Sequence, residues 1–148
     1  MEKNRPAYLL KYHAFYAERI AELKARVQKL KVTLSPEEFS RHETVKFALR
    51  IQDAEKEIAA NPKAREYLLH DELRKFRRYK KGIGRHRLFF CFSETPPVII
   101  FLYLNSESNL RQEGGRRDPY EEFKSMIRRG EISPRPDDPK IQRWIRSR

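Results

Sequence analysis

The chain has 148 residues, 39% hydrophobic and 11% aromatic, which fits one folded domain and excludes a disordered tail. Its formal net charge is +12, which points to a polyanion as partner, with nucleic acid ahead of a membrane surface or an acidic protein. A single cysteine, Cys91, excludes an internal disulfide and a cysteine-based zinc site, and the longest apolar run, residues 98–104, is far shorter than the ~20 residues of a spanning helix.

Residues 7–12 (AYLLKY) read as an opening strand or a lead-in to a helix, and the strand is favoured. Tyr16, Ile20, Leu23, Val27 and Leu30 then recur at spacings of four and three, one face of a helix. Ser35-Pro36-Glu37-Glu38 starts a second helix: the serine caps, proline suits the first turn, and Glu38 reaches back to the cap amide. Its apolar stripe is Phe47, Ile51, Ala54 and Ile58, and the short link 31–34 predicts an antiparallel helical hairpin. Asn61-Pro62 ends it and starts a short extra turn through Leu69.

Three strands follow, over residues 76–80, 85–93 and 98–104. Gly82 and Gly84 supply the first turn, and Pro96-Pro97 the second. The third strand, VIIFLYL, is apolar on both faces, so it is covered on both sides or paired centrally. Residues 105–117 read as a polar loop. Asp118-Pro119-Tyr120-Glu121 opens a third helix that closes at Gly130. The expected fold class is α+β: a helical hairpin packed on one face of a small antiparallel sheet, followed by a C-terminal helix. Residues 1–132 form the expected single domain. Residues 133–148 are a proline-rich tail whose Ile141, Trp144 and Ile145 stand at helical spacing, to dock on the domain or await a partner.

The charge is unevenly placed. Up to His70 there are fourteen basic and ten acidic residues; beyond it there are nineteen and eleven. Residues 74–87 alone carry Arg74, Lys75, Arg77, Arg78, Lys80, Lys81, Arg85 and Arg87, with no acidic residue. Strand alternation puts Phe76, Arg78 and Lys80 on one face, and Arg85, Arg87, Phe89 and Cys91 on one face of the next strand. His86, Leu88, Phe90 and Phe92 are left as the better core face. Arg78, Lys80, Arg85 and Arg87 are therefore expected to converge on one cationic patch. Such a patch with an aromatic beside it suits phosphates and stacked bases. Phe76, Arg77, Lys75 and Arg116 complete the RNA-contacting candidates with Arg85.

Fixed cations can also do chemistry on RNA, because the 2′-hydroxyl is a built-in nucleophile and the cations stabilise the phosphorane. No Asp/Glu/His cluster has ligand spacing, so neither metal nor other cofactor is expected. His86 falls on the core face. His13, His42 and His70 lack an evident catalytic partner. Cys91 and Trp144 read as packing residues. Without a signal-peptide pattern or membrane span, a reducing cytoplasm is the expected location.

The segments GRHRLFF (84–90), VII (98–100), NSESNLR (105–111) and DPYEEFKSMIRRG (118–130) resemble the YhaV family, toxins of type II toxin–antitoxin modules in the RelE/ParE superfamily. The family pattern combines G-R-[YH]-R-L-F-F, N-x-E-x-x-L-R and Y-x-x-F-x-x-M-[IL]-x-R-G. The close match spans residues 76–130; the hairpin before it matches in order and length. The resemblance implies a RelE-like fold and a ribonuclease that degrades mRNA, free or ribosome-bound, and arrests translation. It implies inhibition by a cognate antitoxin, often of the PrlF/AbrB-like swapped-hairpin type. It also implies Arg78, Lys80, Arg87, Arg111 and Tyr120 as site residues. Arg87 would stabilise the phosphorane, Lys80 or Arg78 would share charge stabilisation and proton handling, and Tyr120 would stack on a base or assist proton transfer. Histidine at position 86 replaces the usual tyrosine, and residues 133–148 depart from the family tail. A non-catalytic RNA- or protein-binding protein on the same fold is the alternative.

Overall fold

The computed structural model describes residues 7–106 and 118–147. In chain order these form β1 (Leu9–His13), α1 (Ala14–Thr33), α2 (Pro36–Arg41) and α3 (Glu43–Ala60). Two 3-10 turns, Arg65–Tyr67 and Asp71–Leu73, lead to β2 (Arg77–Tyr79), β3 (Leu88–Glu94) and β4 (Pro97–Leu104). After α4 (Pro119–Arg128), a 3-10 helix, Pro139–Trp144, runs into β5 (Ile145–Ser147).

The α+β class holds, but the sheet is larger and less uniform than the expected antiparallel one. Five strands lie in the order β2-β3-β4-β1-β5. β2–β3, β3–β4 and β1–β5 are antiparallel, whereas β1 runs parallel to β4. Residues 7–12 thus do contain a strand, and it is nearly central. The second expected helix is two helices. His42 is extended (φ −69°, ψ 136°), and its Nδ1 accepts the Thr44 amide at 3.1 Å, which caps α3 and breaks the run after Arg41. The capping box at Ser35 is present: Glu38 N–H donates to Ser35 Oγ at 3.2 Å, and Ser35 N–H to Glu38 Oε1 at 3.1 Å. Asp118 caps α4 through the Glu121 amide at 2.9 Å.

Helices cover both sheet faces, not one. Leu88, Phe90, Ile99 and Phe101 pack against Tyr16, Ile51, Ala54 and Ile58 of α1 and α3. On the other side Phe89, Cys91, Ile100 and Leu102 pack against Phe123 and Met126 of α4, with Ile132 and Ile141 beyond. Leu88 and Phe90 were expected to be core, and they are; Phe89 and Cys91 are equally buried. The cause is β4, whose seven residues from Val98 to Leu104 are all buried, so each face demands a cover. Cys91 is packed as expected, its thiol pushed up by burial. No helix among the described residues is long and apolar enough to cross a membrane.

The tail is tied on at His13, the N-cap of α1. Nδ1 accepts the Phe15 amide at 3.1 Å, so the proton sits on Nε2, which donates to the Glu131 carbonyl at 2.8 Å. Trp144 stacks on the imidazole, centroids 5.5 Å apart and planes at 13°. Burial, aided by nearby Arg146, holds the His13 pKa below its usual value, and this outweighs the Glu131 carbonyl and carboxylate. Below pH ~6.5 the unfolded chain therefore takes up a proton that the folded chain resists, so stability falls as pH drops through that value and is full above it. Between pH 7.5 and 5.5 the wild-type Tm is expected to fall more than that of His13→Gln; equal falls would remove His13 from the cause.

Candidate active site

β2 and β3 pair Arg77 with Phe90, Arg78 with Phe89 and Tyr79 with Leu88. The ladder is shorter than expected at both inner ends: Lys80 lies beyond β2, and residues 85–87 precede β3. The chain between them turns on Gly82 (φ 71°) and Gly84 (φ 60°), conformations that cost a side-chain-bearing residue dearly. Lys80 and Arg87 stand directly past the last rung, Tyr79–Leu88, on facing sides of the turn. With Glu66, Tyr67 and Lys81 they line a cavity of about 450 Å³.

Arg87 is held rather than free. Its Nη1 donates to the carbonyls of Gly84 at 2.7 Å and His86 at 2.6 Å, curling the side chain over its own turn. Its backbone N–H donates to Asn105 Oδ1 at 2.7 Å. Asn105 stands directly after β4, fully buried, opposite Arg87 by extension of the Leu88–Leu104 pair. Arg87 Nε and Asn105 Nδ2 are buried without a hydrogen-bond partner among the described residues. The Tyr67 hydroxyl is pushed up to about 12, first by burial and then by the charges of Glu66 and Glu57, so it stays protonated at neutral pH.

Arg78 lies on the α4 side. Nη1 donates to Tyr120 Oη at 3.2 Å and Nη2 to the Glu66 carbonyl at 3.2 Å, while Nε is buried without a partner among the described residues. Tyr120 sits in the first turn of α4 with its ring edge-on to Phe89, centroids 5.5 Å apart. Glu66 touches both groups of residues, binding Arg78 through its carbonyl and bordering the cavity that holds Lys80 and Arg87.

The expected four-cation patch is therefore divided. Lys80 and Arg87 share the cavity, Arg78 adjoins it with Tyr120, and Arg85 is exposed on the turn outside the lining. Phe76 is no stacking platform: it is buried, edge-on to Phe123 at 5.0 Å. Arg77 lies over the Phe92 ring at 5.5 Å and donates to the Arg74 and Phe76 carbonyls. Lys75 is exposed. His86 packs on Phe47 of α3, centroids 4.4 Å apart, the helix side expected from its position. Arg111 and Arg116 lie outside the described residues. Sequence reasoning missed Asn105, Glu66 and Tyr67. Asn105 alone left a signal, an amide following a wholly apolar strand. A second, larger groove, about 790 Å³, lies between α1 and α3, mostly apolar and away from this cationic end.

A family model described as a toxin with endonuclease activity, of a toxin–antitoxin system, matches residues 10–141. The chain belongs to the YhaV toxin family. It is 33% identical over 124 residues to the ribonuclease toxin YhaV of Escherichia coli K12, covering 80% of each chain. The toxins YhaV of E. coli O157:H7 and of E. coli O6:H1 match over the same length at the same identity. No solved structure matches. For a YhaV-family toxin, the match contains Arg78, Lys80, Arg87 and Tyr120, so the whole described cationic cluster falls inside the family region.

Proposed function

We propose that this chain is the toxin of a type II toxin–antitoxin module: an endoribonuclease that cuts mRNA, free or on the ribosome, arrests translation, and is neutralised by a cognate PrlF/AbrB-like swapped-hairpin antitoxin. It works in the cytoplasm as one RelE-like domain, and the tail from residue 133 docks back onto it through Ile141 and β5. The observation that carries the reading is the meeting of Lys80 and Arg87 in one cavity, under a protonated Tyr67 and beside the Arg78–Tyr120 pair.

The reaction is transesterification within the RNA. The 2′-oxygen attacks phosphorus, its proton passes to a base, the P–O5′ bond breaks, and the 5′-oxygen takes a proton. The products are a 2′,3′-cyclic phosphate and a 5′-hydroxyl. Arg87 faces the phosphorane oxygens with its orientation already set by Gly84 and His86, so little reorganisation is needed as charge builds. Lys80 shares that charge. Tyr120, polarised by Arg78, serves proton transfer. Phosphate neutralisation by Lys80 and Arg87 needs no metal.

Purified chain, free of antitoxin, should cut RNA in excess EDTA and leave those termini. RNA that stays intact with and without ribosomes would overturn the reading, and translation arrest without fragments would point instead to a non-catalytic binder. Affinity for RNA should fall with salt by roughly 0.7 log units per log unit for each phosphate contact. Lys80→Ala should reduce the slope by about that one contact; an unchanged slope would remove Lys80 from the phosphate path.

A further inference from the structure

The turn that carries the cavity is unusually in need of support. Lys80 to Arg87 has no ladder of its own, and two of its residues are glycines at positive φ. The support comes from one face of α3. Arg50 donates through Nη2 to the Lys81 carbonyl at 3.2 Å and to Tyr79 Oη. Its guanidinium carbon lies 5.7 Å from the centre of the Tyr79 ring. A Cβ on Gly82 would stand 2.7 Å from Arg50 Nε, so the turn's backbone lies directly on the guanidinium. One helical turn earlier, Phe47 packs on His86, at the other end of the same turn, and Ile83 of the turn is buried.

Arg50 is compensated behind the turn. Glu57 Oε2 is 3.4 Å from Nη2 and Asp53 Oδ2 is 3.7 Å from Nη1. Tyr79 Oη donates to Glu57 Oε1 at 2.7 Å, and this bond is the main reason the Glu57 carboxyl is held below its usual range. Arg50 is not among the residues lining the cavity. Its partners are: Lys81 directly, Lys80 through the preceding Tyr79, and Tyr67 through the Tyr67–Tyr79 ring contact at 5.7 Å.

We infer that Arg50, seated on Tyr79 and Glu57, is a positioning residue that fastens the β2–β3 turn so that Lys80, Lys81 and Arg87 face one phosphate. The inference rests on the nuclease reading above. Arg50 acts through the turn and not on the RNA, so it should govern the cleavage step and spare binding.

The test uses the full chain in EDTA: single-turnover cleavage, affinity for a 2′-deoxy analogue that cannot react, and Tm. Arg50→Ala should slow cleavage roughly 10- to 100-fold, the scale of a misplacement near 1 Å. Affinity for the analogue should weaken no more than about threefold, since the phosphate contacts remain. Millimolar methylguanidinium should restore part of the rate without moving Tm. Tyr79→Phe keeps the buried ring and removes only the hydroxyl, so it should fold and still slow cleavage several-fold. Cleavage at the wild-type rate in both variants, with Arg87→Ala inactive, overturns the inference and leaves the site standing. Equal losses of affinity and rate, with no rescue, overturn it too. Undiminished cleavage by Arg87→Ala overturns the site itself, and the inference with it.

Discussion

Arg87→Ala is expected to lower the RNA cleavage rate ~10²–10³-fold, the usual cost of removing one preorganised donor to a developing anion. Growth arrest should vanish with it. The fold should survive, because Arg87 bonds through its side chain only to two carbonyls of its own turn among the described residues. Its backbone N–H still bonds to Asn105, and what is lost is the side-chain bonding to the Gly84 and His86 carbonyls on the half-exposed turn. Those carbonyls can turn to water, so the loss is on the order of 1 kcal/mol. Arg87→Lys separates charge from shape: an ammonium keeps the charge but cannot span two carbonyls and still present a planar fork. An intermediate rate is therefore expected for lysine. Cleavage within a few-fold of wild type in the alanine variant would remove Arg87 from the chemistry.

The elements set by short-range chemistry were legible in the sequence. Ser35-Pro36 and Asp118-Pro119 each begin a helix with the capping serine or aspartate in place. Lys80 and Arg87 could be paired from the sequence because a Gly-x-Gly turn reverses the chain between them. What escaped were features that need distant partners. β1 pairs in parallel with β4, some ninety residues on in the chain, and no local signal specifies that register. His42 reads as an ordinary polar helix residue until its imidazole is seen holding the Thr44 amide. The tail's Ile145–Ser147 resembles the end of a helix by spacing, yet it forms an edge strand because β1 has a free side there.

The same distinction divides the site. Arg87 announced itself as a guanidinium beside apolar strand residues. Arg50 did not: on α3 it looks like part of a solvated polar face, with Lys46, Asp53 and Glu57 at helical spacing. Its meaning comes from Tyr79 and the Lys81 carbonyl, twenty-nine and thirty-one residues away. Asn105 is similar. Its amide becomes significant only when the Arg87 N–H is seen to lack a strand partner. The cationic residues are thus written locally in the hairpin, while their placement rests on tertiary contacts from α3 and the end of β4.

Phe101→Ala should lower toxicity, for a different reason. Phe101 is fully buried on β4, level with Phe90 on one neighbour and Tyr12 on the other. The rings of Tyr12 and Tyr16 lie on it, each 5.5 Å from its centroid and within 26° of parallel. Those rings cannot follow the lost atoms: Tyr16 is fixed through its hydroxyl to Glu55 Oε2 at 2.5 Å, and Tyr12 sits in the β1 backbone ladder. A site that cannot collapse keeps its cavity, so the cost should be about 3–5 kcal/mol. A domain of this size has roughly 5–15 kcal/mol in all, so much of its margin disappears. Tm should drop by roughly 10–20 °C. Phe101 packs on the α1 and α3 side, apart from the Lys80–Arg87 cavity. Well below the new Tm, the folded fraction should therefore cut RNA at the wild-type rate per molecule, the opposite of Arg87→Ala, which should stay folded and cut ~10²–10³-fold more slowly. A Tm within about 3 °C of wild type would show that this core relaxes around the gap, at a cost near 1 kcal/mol.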